Sequence, residues 1–196
     1  MNRVKLHYLS LAGLLAFSHA ASAHTGLLPT DGFKDGFQHP FLGLDHFLVM
    51  LGLGLWASTQ THLLAKQAIS LFLLFLSAGA LLGLAGLNFA YVETAILVSL
   101  LLFGAVLGYG TDKLPKIFVL SSIAAFAAMH GLAHGSEMPF AATAYSYIIG
   151  IVSGTAVLHL SGLALGLLAR NVNATVLIRV YGTMTGMTGA WLLFAA

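Results

Sequence analysis

The sequence predicts an all-α fold: a polytopic membrane helix bundle of six transmembrane helices behind a cleaved signal peptide, with both mature termini outside. Three observations predict it. Only 7% of the 196 residues are charged and 59% are hydrophobic, where a soluble domain carries roughly 25% charge. Six apolar runs approach or exceed the ~18 residues that read as a bilayer span. The basic residues also gather on alternate loops, as a multi-pass chain requires.

Residues 1–23 have the layout of a secretory signal peptide. Arg3 and Lys5 form a basic start, Leu9 to Phe17 a short apolar stretch, and Ala21-Ser22-Ala23 a small-residue cleavage site. Cleavage there makes His24 the new amino terminus. Residues 24–196 then form one transmembrane domain. Its apolar runs are 40–58, 67–87, 91–109, 117–134, 142–169 and 175–195. Backbone groups in lipid must pair within their own segment, so helices are expected. A membrane barrel needs alternating polarity, which these runs lack. The fifth run exceeds what a ~30 Å hydrocarbon core needs, so it tilts or continues past the bilayer.

A cleaved signal starts the mature chain outside, so the loops after the first, third and fifth runs face the cytoplasm. Those loops and their edges hold Lys66, Lys113, Lys116, Arg170 and Arg179. The outer side holds one basic residue, Lys34, between Asp31 and Asp35. This distribution follows the positive-inside rule, and the expected location is the bacterial inner membrane. Gly-xxx-Gly pairs occur at Gly79/Gly83, Gly104/Gly108, Gly131/Gly135, Gly150/Gly154, Gly162/Gly166 and Gly182/Gly186. Such pairs let helix backbones approach closely. Packing within one chain accounts for them, and they leave an oligomer open.

Composition also excludes several chemistries. With Arg3 and Lys5 set aside, six basic residues face six acidic ones, so the charge balance offers no nucleic-acid partner. The chain has no cysteine, which removes disulfides, thiolate metal sites and thiol catalysis. It has nine histidines against eight lysines and arginines together.

The informative residues are polar ones inside apolar runs, since an ionisable side chain at mid-bilayer costs ~2.5–3.5 kcal/mol on insertion scales. The first run opens with His39-Pro40-Phe41-Leu42-Gly43-Leu44-Asp45-His46. In a continuous helix His39 and His46 share a face two turns apart, and Asp45 points about 100° away. Asp45 is then a ligand itself, the partner of a neighbouring helix, or the group that orients a ligating imidazole. Pro40 suits the first turn of a helix. The fourth run ends His130-Gly131-Leu132-Ala133-His134-Gly135-Ser136-Glu137 before Pro139. His130, His134 and Glu137 fall on one stripe. Two imidazoles and a carboxylate on one face suit zinc, nickel, cobalt or iron.

Topology brings the two clusters to one depth. The first run heads inward and the fourth outward, so both place their polar residues toward the outer face. His24 starts outside too, and its amine and ring offer two nitrogens. The candidate metal ligands are thus His24, His39, Asp45, His46, His130, His134 and Glu137. Gly43-Leu44-Asp45-His46 echoes Gly131-Leu132-Ala133-His134, but an inverted repeat would put the echoes at opposite faces. One shared site explains the echo better. His159 reads as a packing residue near Thr155 and Ser161, or as a relay deeper in. His62 reads as a loop residue. Thr183, Met184, Thr185 and Met187 read as packing, with a path lining as the alternative. A membrane histidine-box metalloenzyme and a metal-binding protein without transport are the competing readings of the same residues.

These motifs resemble the HupE/UreJ family of nickel and cobalt permeases over nearly the whole chain. The resemblance rests on the signal peptide, the start His24-Thr25-Gly26, the His39-x5-Asp45-His46 segment and the His130-Gly-x-Ala-His134-Gly-x-Glu137 segment. It implies a non-enzymatic six-span permease carrying Ni²⁺ or Co²⁺ as substrate, with no permanently bound cofactor. It implies His39, Asp45, His46, His130, His134 and Glu137 as the functional positions. It further implies partners in metal delivery, such as a metallochaperone or the maturation proteins of hydrogenase or urease. No Walker loop is present, so transport would be passive, ion-coupled or driven by a partner.

Overall fold

The computed structural model describes residues 31–109, 114–138 and 143–195. The expected signal peptide at 1–23, His24 and Pro139 lie outside the described residues. Every regular element among the described residues is a helix: α1 Gly32–Leu42, α2 Leu44–Ala57, α3 His62–Leu84, α4 Val92–Tyr109, α5 Lys116–Ser136, α6 Ala144–Asn171 and α7 Val176–Ala195. Four of them, α3 to α6, are long and apolar enough to cross a membrane, and the bent pair α1–α2 makes a fifth candidate. The chain is therefore an all-helical membrane protein. The last helix, α7, is not among the candidates. Arg179 and its glycines and threonines dilute its apolar character.

The helix ends follow local chemistry. Asp31 caps α1 by accepting from the Lys34 amide at 3.4 Å, and Thr61 caps α3 by accepting from the Leu64 amide at 3.4 Å. His62 opens α3 instead of lying in a loop, and it is exposed. Gly86 ends α3 with φ +88°, while the Leu87 amide reaches back to the Leu82 carbonyl at 3.0 Å. Asn173 does the same after α6 with φ 56°. Both are left-handed caps, formed by the residue types that tolerate that conformation.

One expectation is corrected. Residues 40–58 do not form a single straight helix. The chain breaks at Gly43, whose backbone is extended (φ −85°, ψ 123°), and α1 and α2 meet at 82°. Pro40 sits near the end of α1, not in a first turn. The reason is local. Pro40 has no N–H to return to the Gly36 carbonyl, which weakens the last turn of α1. Gly43 then follows with the poorest helix propensity of the non-proline residues.

Glycine contacts assemble the bundle. Gly79 and Gly83 of α3 press on the backbone of α5 at Ala128 and Leu132, while Gly131 and Gly135 of α5 press on α3 at Leu76 and Ala80. Gly104 of α4 meets Gly182 and Gly186 of α7 in the same way. The long helix α6 is a spine for both halves of the bent pair. Gly150 and Gly154 receive α1 at Phe33 and Phe37, and Gly162 and Gly166 receive α2 at Leu51 and Ser58. All six sequence pairs thus pack inside one chain, which is how helices associate where lipid is as apolar as leucine. Two polar ties finish the frame. The Arg170 guanidinium donates to the Ser58 carbonyl, and the Tyr181 hydroxyl donates to the Leu48 carbonyl at 2.8 Å.

Candidate metal site

The bend at Gly43 positions the site. It turns α1 so that His39 faces the start of α2, and it exposes the first turn of α2, where Asp45 benefits from the positive end of the helix dipole. The Asp45 carboxylate accepts a hydrogen bond from His46 Nδ1 at 2.9 Å. A Cβ at position 43 would lie 2.9 Å from His46 Nδ1 and 3.0 Å from Asp45 Oδ1. Glycine is therefore required there by the pair that sits over it.

Four imidazoles meet between α1, α2 and α5. The His39 ring lies 4.6 Å from that of His134 and 6.0 Å from that of His46, centroid to centroid. His46 lies 4.6 Å from His134 and 5.2 Å from His130. Glu137, at the C-terminal cap of α5, brings Oε2 to 3.6 Å from His39 Nε2. One ligand atom each from His39, His134 and Glu137 lies within 4.8 Å of the others. Six of the seven sequence candidates are thus brought together: His39, Asp45, His46, His130, His134 and Glu137. The seventh, His24, lies outside the described residues.

Exposure falls along the cluster. The side chains of Glu137 and His39 are 50% and 31% exposed, that of His46 11%, and His130 and His134 are fully buried. The cluster has a wet rim and a dry floor.

Hydrogen bonding decides which nitrogens are available. An ionised carboxylate and a carbonyl can only accept, so a ring nitrogen bonded to one must carry the proton. His46 Nδ1 bonds Asp45, and His130 Nδ1 bonds the Phe126 carbonyl at 2.9 Å. Both rings therefore hold their protons on Nδ1. Their Nε2 atoms are buried and lack a hydrogen-bond partner, as do both nitrogens of His134. A buried polar atom left unpaired costs about 1–3 kcal/mol. Several such lone pairs on rings 4.6–5.2 Å apart are unfavourable alone and suit a cation that accepts imidazole nitrogen.

Sequence reasoning missed three neighbours. The Tyr147 hydroxyl stands 3.5 Å from His39 Nδ1, its ring anchored in the first turn of α6. Glu93, in the first turn of α4, acts on Glu137 through space. Burial and this second carboxylate push the Glu137 carboxyl above its ordinary range. Phe72 of α3 lines the cluster beneath His130, at 6.1 Å between ring centroids. For Tyr147 and Glu93 a signal existed, since the expected topology puts the starts of α4 and α6 on the side of the histidine clusters. Phe72 left none, being one apolar residue among many.

The remaining candidates lie elsewhere. His159 is fully buried beyond Phe72. Met184 and Met187 are about two-thirds exposed on α7 and face away from the bundle, whereas Thr185 is buried.

Comparison with known proteins adds an independent line. The sequence model of the family described as HupE / UreJ protein matches residues 12–192. The chain is 35% identical over 179 residues to Protein HupE of Rhizobium leguminosarum bv. viciae, covering 91% of this chain and 93% of that one. No solved structure matches the chain.

Proposed function

Since the chain belongs to the HupE/UreJ family, we propose that it is a permease that carries Ni²⁺ or Co²⁺ across the bacterial inner membrane toward the cytoplasm. The observation that carries this reading is the cluster of four imidazoles, three of them with unpaired buried nitrogens, flanked by two carboxylates. A cluster rich in imidazole suits borderline divalent metals better than calcium or magnesium. His39 and Glu137 would take the ion at the rim, with the buried His134 beside them, and His46 and His130 would accept it further in. Asp45 holds His46 in the tautomer that presents Nε2 and offsets part of the incoming charge. His24, as a free terminal residue, would add its amine and ring at the mouth.

The frame of this proposal is six spans with both mature ends outside, behind a cleaved signal. In it α1–α2 forms one broken span, and α7 shares the bilayer with α4, because its glycines pack directly against Gly104 and Leu107. Broken helices at membrane depth are tolerated where they line a site. The ion delivered would supply maturation of a nickel or cobalt enzyme.

The test is uptake of radioactive Ni²⁺ and Co²⁺ into cells producing the natural protein, His46→Ala or His134→Ala at equal levels. Uptake by the natural protein and loss in both variants is the expected result. Equal uptake in all three would rule out transport through this cluster.

A further inference from the structure

The inner half of the molecule holds one more buried imidazole that the cluster does not use. His159 is fully buried in the middle of α6. Its Nδ1 bonds the Met50 carbonyl of α2 at 2.7 Å. A carbonyl only accepts, so the proton is on Nδ1 and Nε2 carries a bare lone pair. That Nε2 is buried without a hydrogen-bond partner, as is the hydroxyl of Thr155. Thr155 lies four residues earlier on α6, and such residues share a helix face. Packing alone would favour an apolar residue at 159, because an orphaned lone pair in a dry interior is a cost with no return.

The position of His159 is equally informative. The Phe72 ring stands between it and the outer cluster, 6.1 Å from His130 and 4.9 Å from His159 by centroid. His130 and His159 are thus two imidazoles of the same tautomer, each with an orphan Nε2, on either side of one aromatic ring. Phe72 also lines a small void with Leu53 and Phe126, and Phe126 borders a larger apolar cavity of about 400 Å³ that reaches Trp56, Tyr109 and Leu114. The void and the cavity share Ser99, Phe103, Ile123 and Phe126, and the cavity lies toward the ends of α2 and α4 away from the cluster.

We propose that His159, through Nε2 and with the Thr155 hydroxyl one turn earlier on the same helix face, is a second, inner coordination station for the transported divalent ion. The station rests on the permease reading above and extends it past the floor of the cluster. Conduction needs binding weak enough to release. One imidazole and one hydroxyl form a poorer ligand set than the outer cluster, which favours onward movement.

His159→Asn separates ligand from structural post. The Asn amide can still donate to the Met50 carbonyl, but it places no atom where Nε2 stands. If His159 only braces α6 against α2, His159→Asn behaves as the natural protein. If it is a station, the variant folds and binds Ni²⁺ at the outer cluster as before, yet its Ni²⁺ uptake falls to that of cells lacking the protein. Uptake by His159→Asn equal to the natural protein at equal expression would overturn the proposal.

A binding measurement keeps this distinct from failure of the transport reading. Purified full-length protein with His39→Ala, His46→Ala, His130→Ala, His134→Ala and Glu137→Gln is titrated with Co²⁺ and followed by visible absorption. The expected result is a weak residual cobalt band that disappears when His159→Asn is added. A band that is absent, or that survives His159→Asn, would overturn the inner station whatever the uptake result.

Discussion

Asp45 shows how one side chain sets the chemistry of another. Its carboxylate does not need to touch the ion. By fixing the His46 proton on Nδ1 at 2.9 Å, it leaves Nε2 bare, buried and without a hydrogen-bond partner. Removing such an orienting partner typically weakens metal affinity by about 10–100-fold. Asp45→Asn should therefore lower Ni²⁺ affinity by roughly that factor in equilibrium dialysis while the protein remains folded. Glu137 supports a different expectation. Burial and Glu93 raise its carboxyl above the ordinary range, so the empty site holds the proton to a higher pH than a free glutamate does. A divalent ion reverses that balance and drives the proton off, because metal ligands bind deprotonated. Calorimetry on the acid side of neutrality should detect proton release on Ni²⁺ binding. Glu137→Gln should release fewer protons. Equal release by both proteins would assign the proton elsewhere.

At the scale of elements, the decisive feature is the break between α1 and α2. Both halves lean on the single helix α6, so the 82° bend is held by packing on both sides. A straight helix would carry His39 about two turns from His46 along its axis. The bend folds His39 back over His134 instead. Gly43→Ala is the sharpest probe. Its Cβ would press on the His46 ring and the Asp45 carboxylate at about 3 Å, and His46 is too buried to swing away freely. The expected outcome is an intact bundle by thermal melting in detergent, with Ni²⁺ affinity reduced as in Asp45→Asn. A variant that melts early with unchanged affinity would show that the break serves folding and not the site.

For the molecule as a whole, the open question is how it sits in the bilayer. The absence of cysteine makes this directly measurable. The proposed orientation puts Leu87, between α3 and α4, outside and Gln60, between α2 and α3, inside. In intact cells a membrane-impermeant thiol reagent should label Leu87→Cys and spare Gln60→Cys until the membrane is opened. The opposite pattern would invert the molecule and turn the cluster rim toward the cytoplasm. The same frame explains why α7 was legible as a span yet falls short of one by apolarity alone. Its glycines and Thr185 face α4 and the interior, so much of its polar surface never meets lipid.

The membrane class, the helical form and the six polar residues that cluster were legible in the sequence. They follow from sums along the chain. Transfer energy depends on how many apolar residues stand together, and the cost of an ionisable group in lipid makes His39, Asp45, His46, His130, His134 and Glu137 conspicuous at any geometry. The glycine pairs likewise announced close packing, though not which helix meets which. Tertiary structure alone decided the directions. The bend at Gly43, the partnering of α3 with α5 and the use of α6 as a spine depend on contacts between residues roughly fifty to more than a hundred positions apart. So do the pinning of His159 to Met50 and the approach of Tyr147 to His39. Which nitrogen of each imidazole stays bare depends in turn on those carbonyls and on Asp45. A residue list names the groups with lone pairs, and only the fold determines where those lone pairs point.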